Sequence, residues 1–113
     1  MHRSEGAQPL LHPLTEYFKA TNEHDITAVL ACFAPDAIVE DEGKEYLGPA
    51  AIRKWTEGTI SKYDFTVEVT GTHGVDGKVV VAGRVAGTFP GSPVNVTYEF
   101  TLARQGIVRL VIR

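Results

Sequence analysis

At Tyr63 the hydrophobic pattern of this chain changes period, from helical three-to-four spacing to strict alternation. Upstream, the spacing predicts three helices. The first carries Leu14, Tyr17, Phe18 and Thr21 on one face, with Pro13 suited to its N1 position. Asn22-Glu23-His24-Asp25 breaks it, and Asp25 is a suitable N-cap for a second helix with Ile26, Val29, Leu30 and Phe33 inward, ended by Pro35. Two helices joined by so short a connection lie together as a hairpin. Gly48-Pro49 opens the third, in which Ile52, Trp55, Thr56 and Ile60 share a face.

Downstream, Phe65, Val67 and Val69 alternate with Thr66, Glu68 and Thr70, and Asp76-Gly77 is a strong hairpin signal. Lys78 to Thr88 returns as a strand. Phe89-Pro90-Gly91-Ser92-Pro93 then forms a rigid loop that rims a pocket or a dimer contact. Val94, Val96, Tyr98, Phe100 and Leu102 are of one parity, Arg104-Gln105-Gly106 turns the chain, and Ile107 to Arg113 closes the sheet. Helices followed by an antiparallel meander predict an α+β domain. A strongly twisted sheet of this length curls around the helices, which cannot fill it, so a cone with an apolar pocket is expected. Gly83 and Gly87 fit points of sharp bending.

With 113 residues the chain holds one core, and it divides into an arm over residues 1–12, without periodicity, and a single domain over 13–113. The net charge of −3, with the basic residues dispersed, gives no footprint for nucleic acid or an anionic membrane. Cys32 is the single cysteine, which excludes an internal disulfide, and its apolar helical setting marks a small core residue. No long apolar run marks a signal peptide or membrane span, so a soluble, cytoplasmic protein is expected. His2, His12, His24 and His73 show no metal-ligand spacing, and neither a metal nor a cofactor is expected.

The segment from Phe33 to Gly43 carries the chemistry. The apolar pair Ile38-Val39 runs into Glu40, Asp41 and Glu42 before the turn at Gly43, followed by a brief strand near Tyr46-Leu47. Ile38 and Glu40 share one strand face, Val39 and Asp41 the other. A carboxylate carried inward loses water and has a raised pKa, which suits a proton shuttle. The three acids can equally form a solvated hairpin tip.

Element order and residues together resemble the nuclear-transport-factor-2-like superfamily, closest to its SnoaL-like and ketosteroid-isomerase-like branches, over about Leu14 to Arg113. The resemblance rests on Tyr17, on Asp25-Ile26, on Phe33-Ala34-x-Asp36-Ala37 with Val39-Glu40-Asp41, and on Gly48-x-x-x-Ile52. It implies a curved antiparallel (mixed) sheet wrapped around three N-terminal helices, the cystatin-like cone. In the ketosteroid isomerases a helix tyrosine precedes the catalytic aspartate by the same twenty-four positions that separate Tyr17 from Asp41. Carried over, Asp41 is the general base and Tyr17 an oxyanion donor. Tyr98 takes the place of the isomerases' second donor, an aspartic acid, and Thr56 that of a supporting tyrosine; Glu42 replaces the proline after the base.

The implied function is a cofactor-independent pocket protein that isomerises or cyclises a small apolar carbonyl compound, with the chain as a homodimer. The alternative is a non-catalytic apolar-ligand-binding or dimeric interaction domain, paired through an outer sheet face with Thr97, Glu99 and Thr101. Asp41, Tyr17 and Tyr98 are the candidate catalytic residues; Phe33, Val39, Trp55, Phe65, Val96 and Phe100 are the candidate ligand contacts. Arg84 could complete a water-activating Asp-Arg-Asp set like that of the superfamily's epoxide hydrolases, but no second aspartate is evident on the late strands, and a surface position fits it better.

Overall fold

The fold was analysed in a computed structural model that describes residues 12–113, so the arm expected over 1–12 lies, His12 apart, outside the described residues. The elements run α1 (Leu14–Asn22), α2 (Ile26–Ala31), β1 (Phe33–Asp41), β2 (Lys44–Leu47), α3 (Gly48–Tyr63), β3 (Thr66–Val75), β4 (Lys78–Ala86), β5 (Val94–Ala103) and β6 (Gly106–Ile112). The six strands form one curved sheet in the order β2-β1-β6-β5-β4-β3. Neighbours are antiparallel except β1 and β6, which run parallel, so the sheet is mixed.

Local chemistry explains most boundaries. Asp25 caps α2 by accepting from the Ala28 N–H at 3.1 Å. Pro49 sits in the first turn of α3, where its missing N–H costs nothing. Pro13 stands at the N-cap of α1 rather than at N1, its carbonyl accepting from Tyr17 N. Two further boundaries differ from the sequence reading. The second helix stops at Ala31, before Pro35, because the Cys32 carbonyl is taken by the Ile107 N–H at 2.9 Å. Phe33 therefore opens a strand instead of extending a helix face. Pro35 is tolerated there because register with β6 shifts between Phe33 and Ile38. At the other end, β4 stops at Ala86, since Gly87 N donates to the Ser92 hydroxyl and Thr88 N to the Tyr63 carbonyl.

The sheet bends where β3 shifts register against β4, between Val69 and Gly71 and opposite Gly83. A Cβ on Gly83 would lie 2.9 Å from Val67 and 3.1 Å from the Tyr98 ring, so the glycine makes room for that ring. The helices lie against the concave side. Leu14, Val29, Ile52, Phe100, Ile107 and Leu110 are fully buried between the layers. Tyr17 is a hub of edge-on ring contacts, 5.1 Å from Phe18, 5.6 Å from Phe100 and 5.9 Å from Phe33 between centroids.

One side chain fastens the helical layer to the edge strand. Asn22, the last residue of α1, donates to the Val67 carbonyl at 2.9 Å and accepts from the Val67 N–H at 2.7 Å, standing in for a neighbouring strand. Asn22→Ala leaves both backbone groups of Val67 without this partner. It should lower unfolding free energy by about 1–3 kcal/mol, read as a lower urea midpoint at unchanged m-value.

Candidate active site

The register of three strands sets the geometry. Asp41 on β1 stands beside Ile112 on β6, which stands beside Tyr98 on β5. These three form a row across the concave face. At the usual strand spacing the Asp41 and Tyr98 Cα atoms are about 10 Å apart, and their side chains reach toward each other over Ile112. All three line a cavity of about 260 Å³. One pleat deeper lies the row Val39–Leu110–Phe100, whose members are completely buried. Val39 shares the face of Asp41 as its parity requires, but it and Phe100 form the packed floor beneath the cavity. Neither lines this cavity, where both were expected as ligand contacts.

Phe33, also expected as a ligand contact, lies apart from this cavity. It lies at the far end of β1, paired with Ile107, and faces a separate apolar cavity of about 250 Å³ shared with Leu30, Pro35 and Ile52. Trp55, Phe65 and Val96 do line the main cavity, as do Tyr17 and Tyr98. Residues not singled out as contacts complete it, among them Thr59, Tyr63 and Phe89. Phe89 comes from the loop expected to rim a pocket.

Asp41 ends its strand half-buried. Loss of water raises its carboxyl above the usual carboxylate range; the Trp55 indole opposes this, donating Nε1–H to Oδ2 at 3.0 Å. The adjacent Glu42 carboxylate adds a smaller upward push, and the Glu42 backbone hydrogen bond a smaller downward one. Trp55 is thus a donor to the candidate base as well as part of the wall. Helical spacing places it on the face of Ile52 and Thr59, but no pattern in the sequence gives the rotation of α3 relative to the end of β1.

The two tyrosines are buried and protonated. Burial is the main cause raising the Tyr17 hydroxyl, followed by the neighbouring Tyr98 and, more weakly, Asp41, while the Thr21 hydroxyl acts the other way. Burial and then the Asp41 charge raise Tyr98. Both remain hydrogen-bond donors across the neutral range. Tyr98 is 4% exposed, and among the described residues nothing hydrogen-bonds to its hydroxyl. A buried O–H without a partner is costly, so this one calls for a ligand or a water. Thr56 gives the tyrosines no help, since its hydroxyl donates to the Ile52 carbonyl within α3 at 2.8 Å.

At the mouth, Glu42 and Gly43 form a tight β1–β2 turn with φ of 53° and 76°. The Tyr63 hydroxyl donates to Glu42 Oε2 at 3.2 Å, and Phe89 packs edge-on to Tyr63 at 5.6 Å. Among the described residues, no lysine, arginine or histidine lines the cavity. Arg84 is exposed, and the Asp-Arg-Asp set is not assembled.

The sequence profile of the SnoaL-like domain matches residues 14–110. The chain belongs to the SnoaL-like domain family. Among solved structures, a candidate polyketide cyclase from Sinorhizobium meliloti is 38% identical, with a TM-score of 0.88 over 92% of this chain and 95% of that one. The epoxide hydrolase/cyclase-like enzyme SalBIII, from pyran ring formation in the polyether salinomycin, is 28% identical with a TM-score of 0.75, covering 87% and 84%. A Catenulispora acidiphila protein of ketosteroid-isomerase-like fold, solved with trimethylamine, has a TM-score of 0.79 at 17% identity, covering 90% and 84%, and shares the fold. No curated protein matches the chain. The SnoaL-like cone, with helices packed in a curved mixed sheet, is thus common to this chain and its structural neighbours.

Because burial raises the Asp41 carboxyl, its ionised form opposes folding. The corresponding stability is fully present below the ordinary carboxyl value, about pH 4, and is lost as pH rises through the raised one. Asp41→Asn should therefore melt higher than wild type at pH 7, with the gap closing toward pH 4. Trp55→Phe should move the carboxyl further upward, read from the carboxyl-carbon NMR titration of Asp41; a downward move would refute the donor's assigned role.

Proposed function

We propose that this SnoaL-like domain binds a small apolar carbonyl compound and catalyses proton transfer on it, leading to isomerisation or cyclisation. The Asp41 carboxylate takes a proton from the carbon next to the carbonyl. The C–H electron pair becomes the C=C bond of the enolate, and the carbonyl oxygen gains the negative charge. Tyr98 and Tyr17 donate hydrogen bonds to that oxygen as the charge develops. The proton on Asp41 then returns to a different carbon in an isomerisation. In a cyclisation, the enolate carbon bonds to a second carbonyl carbon, and the resulting alkoxide takes the proton.

The observation that carries this reading is the Tyr98 hydroxyl, without a hydrogen-bond partner among the described residues, in the same cavity as the half-buried Asp41 carboxylate. The donor and the base line one cavity of about 260 Å³, which has room for a small carbonyl compound beside both. The likeness to a candidate polyketide cyclase and to an epoxide hydrolase/cyclase-like enzyme supports carbonyl or ring-forming chemistry. Water activation by an arginine-linked acid pair is disfavoured, because no arginine among the described residues lines the cavity.

Turnover is assayed on a panel of enolisable apolar ketones and diketones. Asp41→Asn should cost about 10²–10⁴-fold in kcat with the fold intact. Tyr98→Phe should cost about 10²–10³-fold. The wild-type rate should rise with pH as Asp41 ionises, at a pH above the ordinary carboxyl range. Unchanged turnover in Asp41→Asn would refute the assignment. Stabilisation by apolar compounds with no turnover of any would favour a binding domain. The proposal includes a homodimer formed through the outer sheet face around Thr97, Glu99 and Thr101; sedimentation as a monomer would remove that part.

A further inference from the structure

The charge of the cavity wall is one-sided. Asp41 and Glu42 both line it, and among the described residues no basic side chain does. Tyr17 and Tyr98 stay neutral, so among the described lining residues no cation offsets the two carboxylates. The rest of the surface is mainly aromatic, with Trp55, Tyr63, Phe65 and Phe89 beside the two tyrosines. An apolar, half-enclosed space with uncompensated negative charge repels anions, and aromatic faces attract compact cations. Lys62 already illustrates that attraction from outside: fully exposed, it holds its ammonium 5.1 Å from the Tyr63 ring centroid and feels the Glu42 charge.

We infer that the ligand selected by this cavity carries a compact alkylammonium group, tertiary or quaternary, held at the mouth by Glu42 beside the paired Tyr63 and Phe89 rings. Glu42 is fixed for that role. Its backbone is set by the tight turn, and Tyr63 holds one carboxylate oxygen at 3.2 Å, leaving the other open. Asp41, deeper and anchored by Trp55, stays available for the proton. The inference rests on the reading that this cavity is the ligand site, and it narrows the substrate to apolar carbonyl compounds that also bear an alkylammonium group. Free acids and phosphates are excluded by the same wall.

The test needs no turnover, because Trp55 is the sole tryptophan and its fluorescence reports on the cavity. Choline is titrated against its neutral isostere 3,3-dimethylbutan-1-ol and the anion 3,3-dimethylbutanoate. Choline should bind at least tenfold more tightly than the alcohol, and the anion more weakly than either. Glu42→Gln should reduce the choline preference to less than threefold, while Lys62→Ala, which removes a competing cation, should strengthen choline binding. Equal affinity for choline and the alcohol, or a preference that survives Glu42→Gln, overturns the inference. Such a result leaves the Asp41 proton-transfer reading standing, since that is decided by Asp41→Asn turnover on ketones.

Discussion

Strand β1 enters the sheet parallel to β6, the last strand of the chain, and the position of every candidate group follows from that pairing. The first strand thereby lies beside the end of the meander instead of beside its start. Asp41 falls level with Ile112, and the antiparallel β5 brings Tyr98 level with Ile112 from the other side. A slip of one residue in β1 would turn Asp41 out to solvent and carry Glu40 inward. Glu40 is instead held on the other face by Arg109, a part-exposed pair at 3.2 Å. Such a pair adds little stability by itself, but it opposes that slip.

The row below performs a different task. Val39, Leu110 and Phe100 are packed without exposure, so the floor of the cavity is rigid. Tyr17 is wedged against Phe18, Phe33 and Phe100. The hydroxyl-bearing ring therefore gets its orientation from residues that do not line the main cavity. Phe33, Val39 and Phe100 matter to the site as its foundation. Truncating any of them would disturb Tyr17 or the base indirectly, through packing.

How much of this could be read from the amino-acid order depends on range. The three helices, the meander and the Glu42-Gly43 turn are governed by contacts within a few residues, and the patterns report them. The common face of Val39 and Asp41 follows from the pleat alone. The split between wall and floor was not legible, because it depends on register between β1, β5 and β6, which lie far apart along the chain. Alternation gives the face of a residue but not its depth in the row. The end of α2 was misplaced for a similar reason: Pro35 looked like the terminator, while the deciding event is capture of the Cys32 carbonyl by Ile107. The Trp55 donor was hidden because the azimuth of α3 is set by packing.

The balance at Asp41 shows why the indole matters more than another apolar residue of similar size would. Desolvation alone pushes a carboxyl toward the neutral acid, and a base that is protonated at working pH accepts nothing. A strong compensating cation would keep it ionised but weaken it as a base. A single neutral N–H from Trp55 lies between those limits, since it favours the carboxylate modestly and leaves Oδ1 free of that contact. Among the described residues, the wall has no arginine or lysine that would shift this balance further. Burial, the larger influence, and the weak indole donor thus act on the carboxyl in opposite directions, and the net rise makes Asp41 a stronger base than a carboxylate in water.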